Sequence, residues 1–172
     1  TNLLIEGFYT RLTDVFVLGK PYDRGDGILV KTRSNGPGAK VMGLTLEGKV
    51  AYLSILQIQA GLTLQRSRYD EPHKWHDDAP AEKKIFRTPD TYGYFTATCT
   101  PVKPLSIALS GTYTGRMLVQ RMDITAENAE LGEMPERKAE AIRTPRFFDL
   151  GVKLAYDFKL YKTVDLQLNG GV

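Results

Sequence analysis

Along residues 56–67, "LQIQAGLTLQRS", the apolar side chains Leu56, Ile58, Ala60, Leu62 and Leu64 occupy every second position, with Gln57, Gln59, Gly61, Thr63, Gln65 and Ser67 between them. Successive side chains of a strand point to opposite faces, so a period of two predicts a strand with one greasy wall and one polar wall. The pattern returns four times. Leu44 and Leu46 alternate with Thr45 and Glu47; Ile107, Leu109 and Tyr113 with Ser106, Ser110, Thr112 and Thr114; Phe148, Leu150, Val152, Leu154 and Tyr156 with Asp149, Gly151, Lys153 and Asp157; Val164, Leu166 and Leu168 with Asp165, Gln167 and Asn169. Strands of soluble domains commonly run about five or six residues, whereas a membrane-crossing strand tilted near 45° needs roughly 9 to 11. The twelve residues of 56–67 point to the membrane.

The remaining segments supply the connections. Residues 3–18 predict one long strand, broken by "GKPYDRGDG" at 19–27. Extended chain resumes at Ile28, and Asn35-Gly36-Pro37-Gly38 is expected as a bulge inside one strand rather than a hairpin turn. "KVAYLS" at 49–54 is a short connection, 70–91 a long loop, 92–100 a strand and "PVKP" at 101–104 a tight turn. Residues 120–145 form a second long loop with a turn or two of helix expected around Arg137–Ala141, and "KLYKT" at 159–163 is a turn. Long loops thus alternate with short turns, the rhythm of an antiparallel up-and-down sheet with loops at one end and turns at the other. A hairpin at "NGPG" would break that rhythm. Seven strands with free edges do not close a barrel, and bacterial single-chain barrels have even strand numbers. The expected architecture is all-β: about seven strands of a larger transmembrane barrel, with 1–172 a single partial domain.

Composition changes this picture little. At 42% hydrophobic and 25% charged the chain has the average of a water-soluble protein, but a transmembrane barrel hides its apolar face by alternation. No run of about 18 apolar residues exists, which excludes a transmembrane helix and nothing more. A net charge of +3 without a basic block gives no electrostatic footprint for nucleic acid. The single cysteine, Cys99, forms no internal disulfide and reads as a small apolar strand residue. The polar walls are chiefly Gln, Thr, Ser, Gly, Asn and Asp rather than the Lys and Glu of a solvated sheet, which suits a crowded wet lumen. Glu47, Gln57, Gln59, Thr63, Asp149, Lys153 and Asp157 are the candidate lumen-lining residues; pairing of the charged ones with each other is the equal alternative. Tyr69, Tyr92, Tyr113, Phe147, Phe148, Tyr156 and Phe158, near strand ends, are expected in interfacial girdles.

Candidate chemistry is sparse. "HKWHDD" holds both histidines of the chain, and His73, Trp75, His76, Asp77 and Asp78 are the candidate ligand contacts of an outer loop, an aromatic face amid donors and acceptors. The spacing of two histidines in an irregular loop does not bring imidazoles and a third ligand together, so no metal is assigned. Arg24-Gly25-Asp26 is three common residues in a Gly-rich turn and is given no adhesive role. No phosphate loop and no nucleophile elbow occurs, and both histidines share one loop, so neither catalysis nor a cofactor is expected.

The stretches "EGFYTRLTDVFVL", "GAKVMGLTLEG", "LQIQAGLTLQRSRYDEP", "RTPDTYGYFTATCTPVKPLSIALSGTYTG" and "LQLNGGV" together resemble the C-terminal part of the barrel of TonB-dependent outer-membrane receptors, in the style found in Bacteroidetes. The likeness spans essentially the whole chain and rests on strand patterns rather than a chemical fingerprint. It implies a bacterial outer-membrane location and a parent barrel of about 22 strands with a plugged lumen. It further implies a plug domain that contacts TonB, and active uptake of an iron chelate, cobalamin or a glycan. The chain itself contains no plug, no TonB-contact segment and no closing strand of that pattern. Two other readings remain: a porin- or adhesin-type barrel, and a soluble β-sandwich carbohydrate-binding module.

Overall fold

The computed structural model describes residues 1–76, 78–125 and 136–172. In chain order the strands are β1 (Asn2–Leu12), β2 (Phe16–Asp23), β3 (Leu29–Asn35), β4 (Ala39–Tyr52), β5 (Leu56–His73), β6 (Glu82–Lys84), β7 (Thr91–Val102), β8 (Leu105–Thr114), β9 (Leu118–Thr125), β10 (Glu136–Arg143), β11 (Phe147–Tyr161) and β12 (Val164–Gly171). Seven of them form one antiparallel sheet in the order β1-β4-β5-β7-β8-β11-β12, with β6 added beside β5; β2–β3 and β9–β10 are separate two-stranded hairpins. The sheet is open, with β1 and β12 at its two edges, and has the form of a barrel fragment.

Cross-strand partners in an antiparallel ladder share a face, so the register states which side chains lie together. β4 meets β5 through Tyr52↔Leu56, Val50↔Ile58, Leu46↔Leu62 and Leu44↔Leu64, and between these through Ala51↔Gln57, Lys49↔Gln59 and Thr45↔Thr63. The division passes on across β7, β8 and β11 through Ile58↔Ala97↔Leu109↔Val152 on one face and Gln59↔Thr96↔Ser110↔Gly151 on the other, and reaches β12 through Tyr156↔Leu168 and Asp157↔Gln167. The apolar face is uncovered: Leu44 is 48% exposed, Leu62 43% and Leu154 51%. The polar face is the more enclosed one along β5, where Thr63 and Ser67 are buried. Among the described residues the buried apolar side chains are only Ala39, Ala79, Leu118 and Ala139, all beyond the greasy band toward the long-loop end. A sandwich core is therefore absent from this sheet.

Several boundaries differ from the sequence expectation. The strand over 3–18 is broken at residues 13–15, where Asp14 adopts φ 55°, and the chain then runs as β2 through Pro21 to Asp23. The proline is tolerated because the β2–β3 register shifts between Leu18 and Pro21. Its hairpin turn is Arg24–Ile28, where Gly25 and Gly27 take positive φ and the Asp23 carboxylate accepts from both of their amides. "NGPG" is no hairpin, as expected, but a break between β3 and β4; it lies opposite the break at 13–15, with the Gly36 amide donating to the Val15 carbonyl at 2.7 Å. "KVAY" belongs to β4, leaving Leu53–Ile55 as the turn, and β7 continues through Pro101 to Val102 with a register shift after Cys99.

The loop at 70–91 is partly ordered as strand, since β5 runs to His73 and β6 pairs with it. The helix expected around Arg137–Ala141 is instead β10, held to β9 by eight register pairs from Glu136↔Thr125 to Arg143↔Leu118. A helix of a turn or two has too few bonds to offset its nucleation, whereas a hairpin arm gains a full ladder. The girdle list also divides: Tyr113, Phe148, Tyr156 and Phe158 lie on the apolar face, whereas Tyr69, Tyr92 and Phe147 pair with Ala39, Thr63 and Thr114 on the polar face. Tyr9 and Tyr52 join the apolar set.

Glycine marks one close approach that fixes an aromatic on the polar face. A Cβ on Gly61 would meet the Tyr94 ring at 2.5 Å, so the ring lies across its bare partner, and the Tyr94 hydroxyl accepts from the Gln59 amide at 3.0 Å. Gly61→Val displaces that ring and breaks its hydrogen bond, with an expected destabilisation of about 1 to 3 kcal/mol. Tyr94→Phe removes only the hydrogen bond and is expected to lose about 1 kcal/mol. The order of the two urea-unfolding midpoints, Gly61→Val below Tyr94→Phe, checks the packing.

Candidate functional site

Two regions gather the polar chemistry: the polar face of the sheet and its long-loop end. On the face, Glu47 lies opposite Gly61, Gln57 opposite Thr98, and Gln59 opposite Thr96. Thr63 shares a hydroxyl–hydroxyl hydrogen bond of 3.0 Å with Thr45. On β11, Asp149 lies opposite Thr112, Lys153 opposite Ala108, and Asp157 accepts from the Gln167 amide at 2.8 Å. The seven candidate residues thus share one face without converging. Glu47, Gln57, Gln59 and Thr63 sit on β4–β5, Asp149, Lys153 and Asp157 on β11, and β7 and β8 lie between. Such a surface is a polar wall rather than a catalytic centre.

At the loop end, the Tyr69 and His73 rings lie 5.5 Å apart, and those of Trp75 and His76 lie 5.8 Å apart. Burial pushes the Tyr69 hydroxyl above its ordinary value. His76 Nδ1 accepts from the Asp78 amide at 3.4 Å, and its carbonyl accepts from the Ala79 amide. The Trp75 indole nitrogen is buried without a partner among the described residues. Asp77 lies outside the described residues. His73 and His76 are therefore engaged with different rings, and no group of three metal-ligating side chains exists among the described residues.

The segment that follows is tied down from both sides. The Gln65 side-chain amide donates to the Pro89 carbonyl at 2.8 Å, and the Gln65 backbone amide donates to the Asp90 carbonyl. The Arg87 amide donates to the Leu118 carbonyl at 2.7 Å, which joins this loop to the base of the β9–β10 hairpin. Met117 and Thr144 close that base through a bond in each direction.

Sequence reasoning omitted several participants. Tyr94 belongs to the polar wall, as does Tyr92, which was expected in a girdle instead, and the alternation of "TYGYFTAT" carried the signal. Arg66 and Arg68 were also missed. They occupy the even positions that continue Leu62 and Leu64, so they lie on the apolar face just beyond its band, with Met42 and Lys40 as partners. Lys40 Nζ lies 2.8 Å from the Asp70 carboxylate. That ammonium holds the Asp70 carboxyl below the ordinary value of 3.8, with Arg11 and Lys83 adding to the effect.

No family model matches the chain, and no curated protein matches it. Solved structures do: one is the closed form of the ferric-catecholate import receptor Fiu from E. coli K12, at 18% identity and a TM-score of 0.55. The match covers 97% of this chain and 20% of that one, so the chain spans about a fifth of the receptor it resembles. At that identity the likeness shows the fold alone: an open, antiparallel sheet with the form of a barrel fragment.

The Asp70–Lys40 pair has a defined pH signature. A carboxyl with a lowered pKa stabilises the fold fully above its ordinary value and loses that contribution as pH falls through its lower folded value. In Lys40→Gln the Asp70 titration is expected to move up toward 3.8, and acid unfolding to begin at higher pH than in the parent protein. Carboxyl-resolved NMR titration and an acid melt measure the two shifts.

Proposed function

We propose that this chain is part of the barrel wall of a TonB-dependent outer-membrane receptor that imports a scarce nutrient of the iron chelate, cobalamin or glycan class. Its apolar face meets lipid and its polar face meets the lumen and a plug domain of the same parent chain. The long-loop end is extracellular, and the turns at Leu53–Ile55, 103–104 and 162–163 are periplasmic. The single observation that carries the reading is the division of faces from β4 through β5, β7, β8 and β11 to β12 with the apolar side uncovered; the edge strand β1 departs from it, with Leu4, Phe8 and Leu12 on the polar face. A soluble sandwich would bury that side under a second sheet, and in water it would be an aggregation surface. The backbone of loops 70–91 and 120–145 belongs outside the hydrocarbon, where water satisfies its polar groups.

In this topology Leu62 is lipid-facing and Thr63 lumenal. Each strand supplies its backbone bonds to its neighbours, and the protein's work in transport is passive: the wall confines the path, Glu47, Gln57, Gln59, Asp149, Lys153 and Asp157 offer it hydrogen bonds, and the outer loops select what enters. The segment of His73, Trp75, His76, Asp77 and Asp78 makes the ligand contacts, with Trp75 as its aromatic face. A porin-type barrel would share this wall but would not need TonB, so uptake that persists without TonB would select that alternative.

Two experiments on the full-length protein that contains this chain test the reading. Leu62→Arg is expected to lose about 2 to 4 kcal/mol of folding stability in vesicles, against a smaller loss for Thr63→Arg. Equal losses refute the face assignment. Cysteines at Asp78 and Glu133 are expected to react with an impermeant maleimide on whole cells and one at Lys103 to be protected; the reverse pattern inverts the topology. With the amount of folded barrel unchanged, Trp75→Ala is expected to reduce uptake, and undiminished uptake removes the ligand-contact role.

A further inference from the structure

The apolar face ends abruptly on β4 and β5. From the turn end the facing pairs are Tyr52↔Leu56, Val50↔Ile58, Gly48↔Ala60, Leu46↔Leu62 and Leu44↔Leu64, and then Met42↔Arg66 and Lys40↔Arg68. Ten residues separate Leu56 from Arg66, about 34 Å of strand at ~3.4 Å per residue. Tilted by about 40°, that length climbs about 26 Å, the height of a barrel's apolar band. Arg66 therefore stands at the headgroup level of the lipid leaflet on the long-loop side.

A cavity of about 260 Å³ opens at this rim, lined by the charged Lys40, Arg66, Arg68, Asp70 and Lys83 with Met42 and Tyr69. Four cations there face one carboxylate, and Lys40 already holds that carboxylate at 2.8 Å. Neither Arg66 nor Arg68 is ion-paired with a carboxylate among the described residues. Arg11, the partner of Lys40 on β1, adds a fifth positive charge beside them. Immediately below lies a shallow open groove lined by Tyr9, Leu44 and Leu64 together with the polar Gln65, Asp90 and Thr91, which shares Met42 and Arg66 with the cavity; its carboxylate, Asp90, is paired with Lys84. Excess positive charge above a mainly apolar groove is complementary to one kind of molecule, an amphiphile with an anionic head.

We propose that Arg66, Arg68, Lys83 and Lys40 bind the phosphate of a membrane lipid whose acyl chains lie in the groove of Tyr9, Met42, Leu44 and Leu64. The inference rests on the barrel reading, which puts this face in lipid. Guanidinium groups suit the phosphate because their planar N–H forks match its oxygens, and the low-dielectric rim strengthens the attraction. The bound lipid would seal the outer surface of β1–β4–β5 at the point where the paired breaks at 13–15 and 36–38 interrupt both arms.

The test uses the purified full-length protein in detergent micelles, titrated with dioleoyl phosphatidic acid and read by native mass spectrometry. Dioleoyl phosphatidylcholine, whose phosphate is neutralised within its own zwitterionic head, is the net-neutral comparison, and inorganic phosphate the competitor. Arg66→Gln/Arg68→Gln is expected to weaken phosphatidic acid binding about 30-fold, from the roughly 1 kcal/mol each basic residue contributes near a charged lipid surface, and to leave phosphatidylcholine binding unchanged. Arg66→Lys/Arg68→Lys keeps the charge and is expected to retain most of the affinity, which separates binding from a folding defect; wild-type affinity is also expected to fall as salt is raised. Equal phosphatidic acid affinity in the Gln variant overturns the proposal. Displacement by an equimolar amount of inorganic phosphate also overturns it, because the site would then serve a soluble anion. Recovery of the protein as a water-soluble monomer overturns the barrel reading and this inference together, whereas membrane insertion with arginine-independent lipid binding overturns this inference alone.

Discussion

The register of β4 against β5 is the constraint on which the rest of the structure depends. Fourteen consecutive pairs, from Ala39↔Tyr69 to Tyr52↔Leu56, hold leucine against leucine on one face and threonine against threonine on the other. A slip of one residue would carry every one of those side chains to the opposite face. The ladder therefore does more than satisfy backbone groups: it sorts one chain into two surfaces of different solvent preference, and the strands from β7 to β12 that follow in the sheet inherit the sorting, whereas the edge strand β1 mixes it with Leu4, Phe8 and Leu12 on the polar face. The hydroxyl pair Thr45–Thr63 and the Gln59–Tyr94 hydrogen bond lie inside this ladder and make sense only in its register.

The two ends of the sheet follow a different logic from its middle. Between the strands at the turn end the connections are two or three residues long, leaving no room for chemistry. At the loop end the chain builds small structures of its own: the β2–β3 and β9–β10 hairpins, the extension of β5 to His73, and the bridge from Gln65 through Pro89 and Arg87 to Leu118. Among the described residues the few buried apolar side chains, Ala39, Ala79, Leu118 and Ala139, collect there.

Several features were readable from the residues alone because they are local or periodic. The strand faces, the alternation of turns and loops, the absence of a hairpin at "NGPG" and the all-β class all follow from a period of two and from where Gly and Pro interrupt it. What eluded such reading was set by partners distant in sequence. Residues 137–141 look as compatible with a short helix as with a strand, and only the ladder with β9 decides between them. Tyr69, Tyr92 and Phe147 resemble girdle aromatics by position, but their partners Ala39, Thr63 and Thr114 place them on the polar face. Arg66 and Arg68 were passed over because nothing local to their strand shows that Lys40 and Lys83, distant in sequence, stand beside them.

The sequence by itself determined the two-faced wall, since side-chain alternation is a property of every extended chain and needs no partner to express it. It also determined which loop carries the histidines and the tryptophan. The tertiary structure decided what stands beside what: that the polar candidates spread across the face instead of converging, that His73 and His76 engage different rings, and that Lys40, Arg66, Arg68 and Lys83 line one cavity. The physical reason is that register and strand order are set by hydrogen-bonded pairing between segments up to dozens of residues apart, and the alternating pattern within a strand is the same whichever neighbour it meets.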